Sequence, residues 1–237
     1  MFTFVMELLT RMGLLAVLRS RSQGGVSIGA MITASHNPAP DNGVKLVDPA
    51  GEMLEQEWEA AATTLANCKD ADLPNQLDQI VVKYSIPSTG GKVIVGRDTR
   101  LSSPALSQAC VRGVEAVGGS VVDLGVVTTP QLHYMVVATN TEGAYGEPTI
   151  QGYYAKISGA FKKFISLTGE KKVYKAKLMF DGANGVGAPA MVEFNKLLSD
   201  VLEVEMVNQG EGELNSGCGA DYVKVENPSM VPYSPQS

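Results

Sequence analysis

Cysteine and histidine are scarce in this 237-residue chain: three cysteines (Cys68, Cys110, Cys218) and two histidines (His36, His133). The cysteines are odd in number, far apart, and none forms a CxxC. A disulfide framework or a zinc site is therefore not expected, and reduced thiols in a cytoplasmic location fit better. Two histidines exclude a His-rich metal site. Positive charge is in deficit, since 19 Lys and Arg face 25 Asp and Glu for a net charge of −6. No whole-chain basic field exists to attract nucleic acid or anionic lipid, although a local patch for a small anion stays open. A membrane-length apolar run is also missing. The N-terminal stretch MFTFVMELLTRMGLLAVLRSRS is interrupted by Glu7 and Arg11, and no basic segment precedes it. It suits neither a signal peptide nor a spanning helix.

What is present describes a globular α/β protein. Hydrophobic residues make up 44% and charged residues 19%, which supports a core and excludes wholesale disorder. The length allows one large domain, or one domain plus part of another. Phe2, Val5, Leu8, Leu9, Met12, Leu15 and Ala16 recur at helical spacing, so the N-terminus reads as an amphipathic helix packed on a core. Val26–Thr33 reads as a buried strand with Ile28, Ala30 and Ile32 on one face, and Val44–Val47 as a short partner in a hairpin. Helices are expected at Glu55–Asn67 and, in pieces broken at Pro74, over Lys69–Tyr84. Lys92–Gly96 and Ser120–Leu124 read as strands. Between them a helix starts near Ser103 and Pro104, with Ser103 as its cap. Helices follow at Gln131–Thr139 and Thr149–Leu167. Ala176–Phe180 and Val201–Val207 read as strands around a helix at Pro189–Leu198. Strands alternating with helices predict a mixed, mostly parallel sheet sandwiched by helices, with an incomplete second α/β domain. The expected boundaries are 1–170, 171–224 and a Pro-rich, unpacked tail over 225–237.

The chemistry concentrates in Thr33-Ala34-Ser35-His36-Asn37-Pro38, just past an apolar strand. Ligands of open α/β sheets bind beyond the carboxyl ends of strands, and backbone N–H groups there can cradle phosphate. A serine hydroxyl at that place could accept a phosphoryl group and pass it on. On spacing alone the commoner explanation is a side-chain-to-backbone turn before Pro38. A Ser-His-Asp hydrolase fits poorly, because His36 adjoins Ser35 and no GxSxG surrounds the serine. His133, on a helix, reads as a structural residue. GANGVG (residues 182–187) lies between a strand and a helix, but its spacing is GxxGxG, which misplaces the glycines of a dinucleotide fingerprint.

Five ordered blocks carry a resemblance. ITASHNP followed by DNGVKLVDPAGEML, then VGRDTR (95–100), TTPQLHYMV (128–136) and DGANG (181–185), resembles the α-D-phosphohexomutase superfamily and, within it, the phosphoacetylglucosamine mutase family. The resemblance implies that Ser35 carries the phosphoryl group and that His36 orients the phosphate or sugar. It implies that Lys45 moves protons at the sugar hydroxyl, and that Arg97 and Asn37 contact phosphate or substrate. Asp98 and Arg100 are expected to hold the loop by pairing with each other. The implied reaction interconverts N-acetylglucosamine 6-phosphate and 1-phosphate through a 1,6-bisphosphate, in UDP-N-acetylglucosamine biosynthesis. The implied cofactor is Mg²⁺, held in part by the phosphate on Ser35. N-acetylglucosamine phosphates are the expected partners, with no nucleic acid and no membrane.

The family's Asp-Gly-Asp-x-Asp-Arg metal loop has no counterpart here, and Gly219-Ala220-Asp221 does not replace it. The family's leading Gly-Thr-Ala-Gly-Phe-Arg segment is also missing. The expectation is therefore a chain truncated at both ends and impaired in turnover, with Leu178, Phe180, Val204 and Met206 exposed. A non-catalytic fragment that binds sugar phosphate is the alternative.

Overall fold

The computed structural model describes residues 2–34, 37, 41–167 and 176–217. Ser35, His36, the connection expected at Gly169–Lys172 and the tail expected from Val225 lie outside the described residues. The elements run α1 (Phe2–Ser22), β1 (Ser27–Ile32), β2 (Val44–Val47), α2 (Gln56–Asn67), α3 (Leu73–Lys83), β3 (Lys92–Arg97), α4 (Ser103–Ala116), β4 (Ser120–Val126), α5 (Thr129–Asn140), α6 (Ile150–Leu167), β5 (Lys177–Asp181), α7 (Gly187–Leu198) and β6 (Glu203–Val207). They form two units: Met1–Thr33 with Asn42–Tyr153, and Ala34–Asp41 with Tyr154–Ser237.

The first unit is built on a four-stranded sheet of order β2-β1-β3-β4. β1, β3 and β4 are parallel, and β2 pairs antiparallel with β1. Alternation along β1 decides what each face buries. Ile28, Ala30 and Ile32 join a core with α1, α4 and residues of α2 and α3, as the spacing predicts. Met31 joins a second core with Val47, Ile94, Val127 and the apolar side of α5. Helices therefore cover both faces of a mostly parallel sheet.

α1 differs from the expected amphipathic helix. Every residue from Arg11 to Arg21 is buried, so this half of the helix is enclosed rather than laid on a surface, while Phe4 and Glu7 in its first half are exposed. Arg11 and Arg21 survive burial by satisfying backbone carbonyls at the ends of other helices, where four C=O groups lack intrahelical partners. Arg11 donates to Leu65 O at 2.7 Å and Cys68 O at 2.8 Å, at the end of α2. Arg21 donates to Val117 O, past the end of α4, and to Gly90 O at 3.0 Å.

Two local expectations are corrected. Pro74 does not break a helix; it sits in the first turn of α3, where its missing N–H costs nothing. Ser103 is not the cap of α4. Ser102 precedes the helix, and the Ser103 hydroxyl is committed to Asp98 instead. At α5 the start pattern closes a capping box, in which Thr128 N–H donates to Gln131 Oε1 at 2.7 Å.

Burial pushes the Cys110 thiol, fully enclosed in α4, up to about 12. We expect iodoacetamide at pH 8 to leave the Cys110 peptide unmodified in native protein and to label it only on unfolding. Peptide mass mapping reads this, and native labelling at Cys110 would contradict the packing.

In the second unit, β5 and β6 form a parallel pair with Lys177 opposite Glu203 and Asp181 opposite Val207. The expected exposure is only partly met. Phe180, Val204 and Met206 are half-buried, while Leu178 is 37% and Met179 66% exposed. Leu178, Phe180, Val204 and Met206 share one face by register, and α7 packs on β6. Among the described residues no helix is long and apolar enough to cross a membrane.

Candidate active site

The first unit sends the carboxyl ends of β1, β3 and β4 to one edge, and the segment carrying Ser35 leaves from the end of β1. Arg97 is the last residue of β3 and pairs with Ile32 of β1. Lys45 lies on β2 and pairs with Met31. The two cations thus flank β1 from its two neighbours, one register step apart. Both are half-buried. They do not share a face: Lys45 is opposite Met31 on the α5 side, and Arg97 is opposite Ile32 on the α1–α4 side. The Arg97 guanidinium donates to Asp98 O at 3.4 Å. α4 starts after β3 and α5 after β4, so both helix N-termini, with their partial positive charge, open at this same edge.

Asn37 is exposed, and its N–H donates to Ala34 O at 3.0 Å. Ser35 and His36, the residues expected to carry and orient the phosphoryl group, lie outside the described residues.

Asp98 is buried and accepts four hydrogen bonds. Oδ2 takes the Thr33 hydroxyl at 2.9 Å and Arg100 Nε at 2.9 Å. Oδ1 takes the Arg100 N–H at 3.1 Å and the Ser103 hydroxyl at 2.5 Å. The expected Asp98–Arg100 pair is therefore present, with both side chains enclosed. Asn42 Nδ2 reaches Ser102 Oγ at 3.0 Å and Ser103 Oγ at 2.9 Å, and Asn42 Oδ1 accepts the Gly43 N–H. Sequence reasoning missed Thr33, Asn42 and Ser103 as members of this cluster. The signal was the acidic residue at the strand exit followed by Ser-Ser-Pro at a helix start, which suits a carboxylate collecting donors.

His133 is a structural residue, as expected. Its Nδ1 lies 2.7 Å from Gly51 O. A carbonyl only accepts, so Nδ1 carries the proton. The DGANGVG loop also closes on itself, with Asp181 Oδ1 accepting Ala183 N at 2.8 Å and Asn208 Nδ2 at 2.9 Å. A groove of about 260 Å³ between α2 and α3, lined by Glu57, Thr64, Gln76, Lys83 and Tyr84 among others, contains none of the expected site residues. Among the described residues no three His, Cys, Asp or Glu side chains converge to hold a metal ion.

The chain matches the model of phosphoglucomutase/phosphomannomutase, alpha/beta/alpha domain I, over residues 14–72 and 65–145. It matches phosphoacetylglucosamine mutase AMG1, domain II, over 145–237. Phosphoacetylglucosamine mutase of Homo sapiens is 50% identical over 219 residues, covering 90% of this chain and 40% of that protein. N-acetylphosphoglucosamine mutase of Aspergillus fumigatus, solved as a serine-to-alanine variant with glucose 1,6-bisphosphate, is 42% identical with a TM-score of 0.87, over 98% of this chain and 44% of that one. The same enzyme in complex with GlcNAc-6P and magnesium is 43% identical with a TM-score of 0.83, over 98% of this chain and 44% of that one. The chain thus spans about 40% of the length of the curated relatives it matches.

Proposed function

The chain belongs to the phosphoglucomutase/phosphomannomutase family, with a second part of the phosphoacetylglucosamine mutase type, and on that premise we propose that it carries the phosphoryl-transfer loop of a mutase acting on N-acetylglucosamine phosphates. The observation that carries the reading is the sheet register. It places Arg97 and Lys45 on either side of β1, whose end lies three residues before Ser35.

In this reading phosphorylated Ser35 gives its PO₃ to the C1 hydroxyl of N-acetylglucosamine 6-phosphate. The serine O–P bond breaks, the sugar O–P bond forms, and the hydroxyl proton passes by way of Lys45 to the serine oxygen. The 1,6-bisphosphate then turns over, its 6-phosphate returns to Ser35 as the serine proton passes back to the sugar 6-oxygen, and the 1-phosphate leaves for activation to UDP-N-acetylglucosamine. Arg97 presents a planar fork to phosphate oxygens, while His36 and Asn37 orient the group. Such a transfer depends on positioning and charge neutralisation more than on covalent work by the protein.

Magnesium, named with one solved relative, would add positive charge at the Ser35 phosphate, whose oxygens suit it. The described residues do not by themselves assemble the remaining donors.

The test is intact mass of the purified chain before and after incubation with glucose 1,6-bisphosphate, followed by fragment mapping. One added phosphate on Ser35 is the expected result. Binding by calorimetry without any mass gain would instead favour a sugar-phosphate-binding role, and a phosphate mapped elsewhere would refute the assignment.

A further inference from the structure

We propose that Thr33, Asp98, Ser103 and Asn42 form a clamp that fixes both ends of the Ser35 segment, with Thr33 and Asp98 as positioning residues for phosphoryl transfer. The proposal rests on the reading of Ser35 as the phosphoryl carrier.

Thr33 and Asn42 are the last and first residues of the first unit on either side of Ala34–Asp41. Both are tied to one short stretch, Asp98–Ser103. Thr33 donates its hydroxyl to Asp98 Oδ2 at 2.9 Å. Asn42 reaches the same carboxylate through Ser103: its Nδ2 donates to Ser103 Oγ, which spends its own proton on Asp98 Oδ1. The donor order along that relay is unambiguous, because a carboxylate only accepts and an amide NH₂ only donates. Backbone bonds complete the closure, from Thr33 N to Gly43 O at 3.0 Å and from Asp98 N to Ile32 O at 3.1 Å.

The carboxylate type is required here. Four donors converge on two oxygens in a buried place, and a carboxylate offers about four lone-pair sites. Arg100, 4% exposed, balances its charge. A network of this kind is rigid when every member is satisfied and unforgiving when one is lost. Ser35 is two residues from Thr33 and seven from Asn42. An error at the Thr33 anchor therefore has few intervening bonds over which to relax before it reaches the serine oxygen. Transfer rates are sensitive to that kind of error, since roughly 1 Å of misplacement can cost about 100-fold.

The experiment compares Thr33→Val, which keeps the side-chain shape without the hydroxyl, with Thr33→Ser, which restores the hydroxyl. It avoids Asp98 variants, which would strand a buried Arg100. Two readouts are taken on the full chain: the rate of Ser35 phosphorylation across a range of glucose 1,6-bisphosphate concentrations, and amide hydrogen exchange over residues 33–43. For Thr33→Val we expect a roughly 10- to 100-fold lower maximal rate with the half-saturating concentration within about twofold, and faster exchange confined to that segment. Thr33→Ser should recover both, and Asn42→Ala should fall between wild type and Thr33→Val. A Thr33→Val chain with wild-type rate and exchange overturns the clamp, and so does a Thr33→Ser chain as impaired as Thr33→Val. Should wild type gain no phosphate, the carrier reading fails; the exchange arm then still decides the clamp, with unchanged exchange in Thr33→Val overturning it and a local increase supporting it.

Discussion

Replacing Arg19 with methionine is expected to destabilise the first unit by about 3–5 kcal/mol, the range for removing one partner of a buried ion pair. Arg19 Nε and Nη2 hold Asp48 Oδ1 and Oδ2 at 2.8 and 2.7 Å, with side chains only 7% and 2% exposed. Glu55 adds a second carboxylate at 3.1 Å, and the guanidinium lies 5.1 Å from the centre of the Trp58 ring. Burial alone would lower the Arg19 pKa, but the bonds to Asp48 and the charges of Asp48 and Glu55 overcome it and leave the pKa raised. Without Arg19, Asp48 keeps only the Glu55 N–H at 3.1 Å among the bonds to this cluster. A carboxylate would stay buried with almost nothing to offset its desolvation. Asp48→Asn should cost less, because Arg19 keeps Glu55. The double variant Arg19→Met, Asp48→Leu should cost less than the sum of the single changes. Trp58 is the only tryptophan and is 1% exposed, so its fluorescence in a urea titration reports this unit directly. A Arg19→Met midpoint equal to wild type would show that the pair contributes nothing.

Gly113→Ala should cost about 3 kcal/mol, the upper end for overpacking, although alanine is the better helix former by about 1 kcal/mol. α1 and α4 meet backbone to backbone at a glycine seam. A Cβ on Gly113 would lie 2.0 Å from Thr10 O, and one on Gly13 would lie 2.1 Å from Cys110 O. Neither obstacle is a side chain that can rotate away, so the helices must separate and lose contact along their length. Gly159 in α6 is the control, since a Cβ there meets nothing within 4 Å. Gly159→Ala should be neutral or stabilising by about 0.5–1 kcal/mol. The same urea titration, with circular dichroism for Gly159→Ala, separates the two. Equal effects of the two changes would mean that propensity, not the seam, governs both.

Much of the layout was legible in the residues. Apolar runs such as SIGAMI and KVIVG have one plausible fate in a chain of this composition, and the β1–β2 hairpin and a helix starting near Ser103, though not its cap, follow from pattern and turn chemistry. Arg97 and Lys45 stand out in motifs contiguous in the chain, while the register shows only that each lies on a strand beside β1. What pattern could not reveal were the partners of polar residues inside the core. Arg11, Arg19 and Arg21 look like the polar punctuation of an amphipathic helix, yet each is enclosed because carbonyls and a carboxylate from later in the chain reach them. Pro74 misled for the opposite reason. A proline reads as a breaker unless the helix start is known to within one turn.

The sequence by itself determined the order and type of the elements, the alternation that buries both faces of β1, and the membership of the family. Those properties depend on local spacing and on motifs contiguous in the chain. Only the tertiary structure decided that Thr33 and Asp98, 65 positions apart, share a hydrogen bond and that two glycines on different helices face each other's backbone. Such pairings exist only once β1 and β3 lie side by side in register, since a hydrogen bond or a backbone contact needs a few ångströms of proximity that no local pattern encodes.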